Sequence, residues 1–247
     1  MQEAALRPPN VSQVGRADLA RETMVKPIDA WWTVLFVDPI ATRTVPPLAR
    51  LRWVTPTRVT LLAHLLGVVA VVLFADGHLL LAGVAFEVRF VLDCVDGKLA
   101  RATGRSSRLG QLLDAFGDQV LTVACVAALG WARSPAAVAV VAACYSLSFQ
   151  LMGTRGDLLR ELGARKPSAR AAERGWGAAM ARRRLLPIPT SVEVEHLLLV
   201  GAPVLWALGW DVVEPALWAT AGYFVLQVAR YGAGILRAAA ALDRAAP

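Results

Sequence analysis

Four aspartates in one short stretch are the residues whose type and spacing could do chemistry. They are Asp93, Asp96, Asp114 and Asp118. A set of carboxylate oxygens is the ligand type that hard divalent cations such as Mg²⁺ and Mn²⁺ prefer. A pair of such ions can hold a diphosphate, an attacking oxygen and a leaving phosphate. The aspartates therefore indicate metal-assisted phosphoryl chemistry, and we expect two ions.

Helical spacing places the aspartates on two faces. The first face consists of Asp93, Asp96, Gly97, Ala100 and Arg101, at positions i, i+3, i+4, i+7 and i+8. The second consists of Gly110, Asp114 and Asp118, at positions i, i+4 and i+8. Residues with these spacings share one side of a helix. Because the intervening turn is short, we expect two antiparallel neighbouring helices whose carboxylates converge at one end of the bundle.

The residues around the aspartates suggest how a phosphate group would fit. Gly97 and Gly110 remove side-chain bulk where a ligand or a neighbouring backbone approaches, and Arg101 is placed to meet phosphate oxygens. Arg89 lies one turn deeper than Asp93 on the same face. We interpret Arg89 as a counter-ion of Asp93, with direct substrate binding as the alternative.

Long apolar blocks contain and surround these acids. The chain is 56% hydrophobic with a mean hydropathy of +0.50. The blocks span 57–75, 79–100, 109–131, 134–154, 192–210 and 214–236. Each has close to the roughly 20 residues that cross a bilayer as a helix. An aspartate at the bilayer centre costs about 2.5–3.5 kcal/mol, so clustered acids persist where a cation binds them. The blocks predict an all-α integral membrane protein, a bundle of six transmembrane helices.

Basic residues concentrate in alternate connections between the blocks. The net charge is +7, and one such connection carries Arg101, Arg105 and Arg108, whereas others carry Asp76 and Asp211. This is the positive-inside pattern, which predicts cytoplasmic N- and C-termini and a cytoplasmic active site. We attribute the basicity to topology and to anionic headgroups rather than to nucleic-acid binding. The expected location is a bacterial plasma membrane.

The segment before the first block differs in composition from the rest. Residues 1–25 are polar and predict a flexible N-terminal tail, whereas 26–54 mix tryptophan with arginine. That mixture predicts a juxtamembrane interfacial segment with an amphipathic helix. Pro39, Pro46 and Pro47 are expected to break this helix into pieces. Residues 55–240 form the predicted six-helix membrane domain.

The aspartate pattern resembles the signature of the CDP-alcohol phosphatidyltransferase family at every defined position. In this sequence it reads Asp93-x2-Asp96-Gly97-x2-Ala100-Arg101-x8-Gly110-x3-Asp114-x3-Asp118. The layout is also similar, with an N-terminal amphipathic segment followed by six helices. A Thr-Pro-Asn-x-x-Thr segment precedes the first helix in many relatives. Here it reads Thr55-Pro56-Thr57-Arg58-Val59-Thr60, so that Thr60 matches and Thr57 replaces the usual asparagine.

The resemblance implies a role for each signature residue. Asp93, Asp96 and Asp114 would hold the metal ions, and Asp118 would be a metal ligand or the general base that takes the acceptor proton. The implied CDP-binding set is Asp93, Asp96, Gly97, Ala100, Arg101, Gly110 and Thr60. The family also implies a homodimer, each protomer having a polar cavity open to the cytoplasm. The donor would be CDP-diacylglycerol or a soluble CDP-alcohol, and CMP would leave.

We expect the acceptor to be a polar alcohol or a phosphorylated polyol. Arg155, Arg160 and Arg230 lie near predicted cytoplasmic helix ends and are candidates for binding an acceptor phosphate. Basic loop residues more often serve topology, which is the alternative for these three. His64 and His196 are interpreted as packing residues.

Two other functions share part of this pattern. Intramembrane aromatic prenyltransferases also use paired aspartate-rich motifs, but on well-separated helices. A cation transporter could use intramembrane acids, but it would not require Gly97, Arg101 and Gly110 at fixed offsets. Release of CMP from a CDP substrate separates phosphotransfer from both alternatives.

Overall fold

Helices account for the regular structure of the described chain. The computed structural model describes residues 24–163 and 175–245. Within these ranges the one extended pairing is a single bridge between Asp29 and Leu185. The all-α prediction is therefore confirmed, whereas the predicted tail at 1–25 lies almost entirely outside the described residues.

The helices follow the predicted apolar blocks closely. They are α1 (Asp38–Arg50), α2 (Pro56–Ala75), α3 (Leu79–Thr103), α4 (Arg108–Gly130), α5 (Pro135–Glu161), α6 (Gly175–Arg182), α7 (Ser191–His196), α8 (Ala202–Ala207) and α9 (Val213–Ala245). A π-helical turn, Thr33–Val37, precedes α1, and a second, Leu197–Gly201, joins α7 to α8. Pro203 lies in the first turn of α8 and has no N–H to donate, so the predicted fifth block is not one uniform helix.

Three of the described helices are long and apolar enough to cross a membrane. They are α2, α4 and α5. Helix α3 is also long, but Glu87, Arg89 and Asp93 interrupt its apolar run. One of these charges, Asp93, belongs to the aspartate signature.

Capping residues mark the start of α2, the end of α3 and the start of α4. Thr55 accepts a hydrogen bond from the Arg58 N–H at 3.3 Å, so it caps α2. Ser107 caps α4 in the same way, accepting from the Gly110 N–H at 3.0 Å. Helix α3 ends at Gly104, whose φ of 64° is left-handed and suits glycine. These caps fix the short turn between the two signature helices.

The predicted breakage of the N-terminal helix by proline is wrong. Pro39 lies where the π-helical turn passes into α1, and Pro46 and Pro47 lie inside a continuous helix. The buried face of α1, formed by Asp38, Ala41 and Val45, packs against α3. This tertiary packing outweighs the lost backbone hydrogen bonds.

Two apolar clusters divide the bundle. The larger fills the space between α2, α3, α4, α5, the α7–α8 region and α9, and on α3 it ends at Phe86. The smaller joins α1 and the preceding segment to α2 and α3, where it includes Val95 and Leu99. Arg89 and Asp93 lie between these limits on α3. The charged residues therefore occupy the boundary between two hydrophobic cores.

Helix α2 packs along both signature helices. It makes extensive backbone contacts with α3 and with α4, whereas α3 and α4 make few with each other. Helices α3 and α4 therefore approach each other mainly through their side chains, and the predicted convergence of their carboxylates is observed for three of the four aspartates.

A buried ion cluster ties the N-terminal segment to the bundle. The carboxylate of Asp38, 2% exposed, pairs with Lys98 on α3 at 3.1 Å and with Arg184 at 2.8 Å. Lys98 is buried as well. Both oxygens of Asp38 thus have cationic partners. The ammonium group of Lys98 pairs with Asp38 rather than with a signature aspartate.

Asp38→Asn is expected to destabilise the fold strongly. Removing one partner from a buried ion pair costs about 3–5 kcal/mol, because the remaining charges stay buried without compensation. Thermal unfolding in detergent should show a midpoint several degrees lower. Asp157→Asn is the matched control, since the Asp157–Arg160 pair is 73% and 76% exposed and contributes little. Equal midpoints for Asp38→Asn and wild type would contradict the role of this cluster.

Candidate metal and nucleotide site

Three carboxylates converge in the space between α3 and α4. One oxygen each from Asp93, Asp114 and Asp118 lies within 4.8 Å of the others, and all three residues are partly buried. Asp93 comes from α3, and the other two come from successive turns of α4. This set, which we call the carboxylate triad, is the geometry that the helical spacing predicts.

The triad suits a divalent cation. Oδ1 of Asp93 and Oδ1 of Asp114 are buried and have no hydrogen-bond partner among the described residues. A buried polar atom without a partner is costly, so these two oxygens are suited to bind a cation. All-oxygen ligands favour Mg²⁺ or Mn²⁺.

The fourth predicted metal ligand has a different partner. Asp96 is buried, and its Oδ2 accepts a hydrogen bond from the Thr60 hydroxyl of α2. The triad therefore contains three of the four predicted metal ligands. Asp96 lines a cavity beside the triad. Asp114 lines the same cavity and is also a member of the triad.

This neighbouring cavity collects most of the predicted nucleotide-binding residues. Its lining consists of Pro56, Thr57, Thr60, Asp96, Gly97, Ala100, Arg105, Ser106, Ser107, Gly110, Gln111 and Asp114. It thus lies between the start of α2, the end of α3 and the start of α4. A Cβ atom on Gly97 would meet nothing closer than 3.5 Å, so the glycine leaves open space. A Cβ on Gly110 would lie 2.9 Å from the Ser107 hydroxyl, so this glycine permits the α4 cap.

Arg101 does not line this cavity. Its guanidinium donates to the backbone carbonyl of Met24, with nitrogen–oxygen distances of 3.1 and 2.9 Å. Phosphate binding by Arg101 stays a prediction, and its Nη1 lies 3.5 Å from the place of a Cβ at Gly97, a residue of the cavity lining.

Arg89 is a buried counter-ion, but its direct partner is Asp118 rather than Asp93. Its Nη2 donates to Oδ1 of Asp118, on the opposite signature helix. The long arginine side chain therefore joins the two signature helices. Sequence spacing on α3 alone could not identify a partner on α4.

Helix α2 supplies contacts that the sequence reading mostly missed. Its positions 60, 64 and 67 face the site at i, i+4 and i+7, and they carry Thr60, His64 and Gly67. The imidazole of His64 lies directly against Gly117 of α4, and its Nε2 is buried without a hydrogen-bond partner. The spacing from Thr60 is the signal that could have placed His64 beside the site.

Glu87 has partners that the sequence did not reveal. Its carboxylate accepts from Nε1 of Trp32 at 3.1–3.2 Å, and Nε2 of His196 lies 3.4 Å away. The His196 ring also stacks with Trp32. This polar contact joins the N-terminal segment to α3 and α7, so His196 has a packing role as expected.

The three predicted acceptor arginines lie on α5 and α9, which pack along each other. Arg155 is partly buried against Gly234, where a Cβ would lie 2.5 Å from the arginine Nε. Arg160 is exposed and pairs with Asp157 at 2.5 Å. Arg230 is exposed, with its guanidinium carbon 5.0 Å from the ring centre of Tyr231. Among the described contacts, none joins these arginines to the triad, so their acceptor role stays a prediction.

Comparison with known proteins agrees with the site. A family model described as CDP-alcohol phosphatidyltransferase matches residues 53–226, which is more than half of the chain. The chain belongs to the CDP-alcohol phosphatidyltransferase family. The match runs from the residues just before α2 into α9, so it covers both signature helices and the apolar bundle around them.

Individual relatives match shorter segments. A phosphatidylinositol phosphate synthase from Mycobacteroides abscessus is 41% identical over 78 residues, 31% of this chain and 36% of the relative. One from Corynebacterium glutamicum is 36% identical over 91 residues, 35% and 42% of the two chains. An archaetidylinositol phosphate synthase from Pyrococcus horikoshii is 37% identical over 67 residues, 27% and 36%. The matched segments span less than half the length of each of these relatives.

Asp93→Asn is expected to weaken Mn²⁺ binding at least about tenfold, since even residues that only support metal ligands contribute 10–100-fold. Free Mn²⁺ measured by electron paramagnetic resonance during titration of the detergent-solubilised protein tests this. Asp211→Asn is the matched control, because Asp211 pairs with Arg133 at 2.7 Å beyond the far end of α4. Equal affinities for Asp93→Asn and wild type would show that the triad is not a metal site.

Proposed function

We propose that this protein transfers a phosphoalcohol group from a CDP-linked donor to the hydroxyl of a polar acceptor and releases CMP. CDP-diacylglycerol is the donor that we propose first, which makes the product a phospholipid. The observation that carries the proposal is the carboxylate triad next to a cavity lined by signature residues. Membership of the CDP-alcohol phosphatidyltransferase family supports the same reaction class.

The proposed metal site uses the acids of both signature helices. Asp93 and Asp114, whose buried Oδ1 atoms have no hydrogen-bond partner among the described residues, would hold a divalent cation, and Asp96 would help to hold a second ion. When bound, Mg²⁺ or Mn²⁺ supplies positive charge that stabilises the diphosphate and the departing phosphate. The residues of the neighbouring cavity would hold the cytidine diphosphate.

Asp118 is the proposed general base. In the reaction the acceptor oxygen forms a new bond to the β-phosphorus, and the bond from that phosphorus to the oxygen of CMP breaks. The carboxylate of Asp118 takes the proton of the acceptor hydroxyl. Its side chain is 36% exposed, whereas Arg89 beside it is 2% exposed, so Asp118 can meet an acceptor that enters from water.

The proposed topology has six membrane crossings. In addition to α2, α4 and α5, the helix α3, the α7–α8 region and α9 would cross. The short turns at Asp76–His78, Trp131–Ser134 and Leu208–Val212 would then lie on the side opposite the site. Arginine enrichment in the other connections supports cytoplasmic termini and a cytoplasmic site in a bacterial plasma membrane.

The N-terminal helix would lie at the membrane interface. Helix α1 buries Asp38, Ala41 and Val45 against α3 and exposes Ile40. Such a helix could rest on the headgroup region while its buried face stays on the bundle. A homodimer is also part of the proposal, supported by the family resemblance of the sequence.

The acceptor that we propose is a phosphorylated polyol. Two of the relatives are named phosphatidylinositol phosphate synthases, which supports an inositol phosphate as the first candidate. Arg155, Arg160 and Arg230 would bind the acceptor phosphate through charge-assisted hydrogen bonds.

Acceptor-dependent release of CMP tests the reaction class. The protein in detergent with Mg²⁺ receives CDP-diacylglycerol and, in separate reactions, inositol phosphate, glycerol phosphate, inositol or serine. We expect CMP release with a phosphorylated polyol, none with Asp93→Asn, and wild-type release with Asp211→Asn. Release with inositol or serine alone would overturn the acceptor proposal, and no release together with no CDP-donor binding would overturn the reaction.

Asp118→Asn is expected to abolish turnover while CDP-donor binding stays within roughly tenfold of wild type. General bases contribute about 10²–10⁴-fold to rate, and asparagine keeps the shape of the side chain but cannot accept the proton. Single-turnover CMP release and equilibrium binding of a labelled CDP donor measure the two properties separately. Substantial remaining turnover would show that another group is the base.

A further inference from the structure

A buried arginine in the middle of an apolar helix requires an explanation. Arg89 lies between the larger apolar cluster and Asp93 on α3, and it is 2% exposed. Charged residues at membrane depth are costly and commonly functional. Its contact with Asp118, the proposed base, suggests that the function concerns the reaction rather than the fold alone.

The surroundings of Arg89 hold its side chain in one place. On α2, a Cβ atom at Gly67 would lie 3.2 Å from Cδ and 3.3 Å from Nε of Arg89, so the α2 backbone packs directly on the arginine stem. The Phe86 ring centre lies 5.5 Å from the guanidinium carbon. Its Nη2 then bonds to Asp118 across the gap between α3 and α4. A side chain confined in this way can fix the orientation of the carboxylate that it contacts.

The three carboxylates of the triad are not equivalent. Asp93 and Asp114 each have a buried oxygen with no partner among the described residues, which suits a cation. Asp118 instead directs one oxygen to a fixed guanidinium. Two other cations near the signature have different partners, since Lys98 pairs with Asp38 and Arg101 with the Met24 carbonyl.

We propose that Arg89 is a positioning residue that reserves Asp118 for proton transfer and leaves the metal ion mainly to Asp93 and Asp114. The inference rests on the proposed function, because it assigns Arg89 to the base of that reaction. The guanidinium occupies one oxygen of Asp118 and opposes close approach of a cation to that carboxylate. The free oxygen of Asp118 then accepts the proton of the acceptor hydroxyl.

This role predicts effects of opposite sign on metal binding and turnover. Arg89→Met keeps much of the side-chain length but removes the charge. Since a guanidinium repels a nearby divalent cation, its removal is expected to tighten Mn²⁺ binding at least about tenfold. Because Asp118 becomes free to bind the metal, kcat should fall at least about 100-fold, while KM for the CDP donor changes little. A purely structural arginine would give weaker metal binding together with lower turnover.

The experiment compares Arg89→Met with wild type by Mn²⁺ titration and by CMP release. Arg133→Met is the matched control, because it removes an arginine from an ion pair with Asp211 far from the triad. Tighter Mn²⁺ binding with lost turnover in Arg89→Met only is the expected result. Unchanged or weaker Mn²⁺ binding, or kcat within about threefold of wild type, would overturn the proposal.

A double variant tests whether Arg89 acts through Asp118. Arg89→Met combined with Asp118→Asn removes both charges, so no uncompensated carboxylate remains. If Arg89 acts partly through Asp118, adding Arg89→Met to Asp118→Asn should tighten Mn²⁺ binding less than Arg89→Met does in the wild-type background. An equal gain in the two backgrounds would contradict the inference. Absence of CMP release from wild type would refute the proposed function, whereas the Mn²⁺ comparison tests Arg89 separately.

Discussion

The burial of several carboxylates between two apolar clusters is the constraint on which the rest of the structure depends. Such a group is stable only when each charge has a partner, because a buried uncompensated charge costs several kcal/mol. The described part of the chain distributes its cations accordingly. Lys98 pairs with Asp38 and Arg89 with Asp118, whereas Oδ1 of Asp93 and of Asp114 have no hydrogen-bond partner among the described residues. This incomplete pairing makes the place suited to hold a metal ion.

Helix α2 sets the geometry, although the signature lies on α3 and α4. It packs against both signature helices and contacts the site at three successive turns. Thr60 bonds Asp96, His64 rests on Gly117, and Gly67 leaves room for Arg89. A larger residue at Gly67 or Gly117 would displace a side chain of the site. The N-terminal segment adds a second restraint through the buried pair of Asp38 and Lys98 on α3. The aspartates are therefore positioned by elements outside the signature.

The sequence could predict the helices and the chemistry of the signature. Apolar blocks define helices because a membrane or a core must cover them, and the spacing of Asp114 and Asp118 places both on one face. Cap residues such as Thr55 and Ser107 also give local start signals. The prediction that prolines break α1 was wrong because tertiary packing can outweigh local helix propensity. These features depend on neighbours along the chain, which a sequence shows directly.

The sequence by itself thus determined an all-α chain with apolar helices, the aspartate signature and the family. Only the tertiary structure decided which charges meet. Arg89 pairs with Asp118 rather than Asp93, Asp96 bonds Thr60 rather than joining the triad, and Glu87 meets Trp32. The physical reason is that each of these contacts joins different helices. Spacing within one helix fixes which residues share a face, but the separation and rotation of packed helices fix which faces meet.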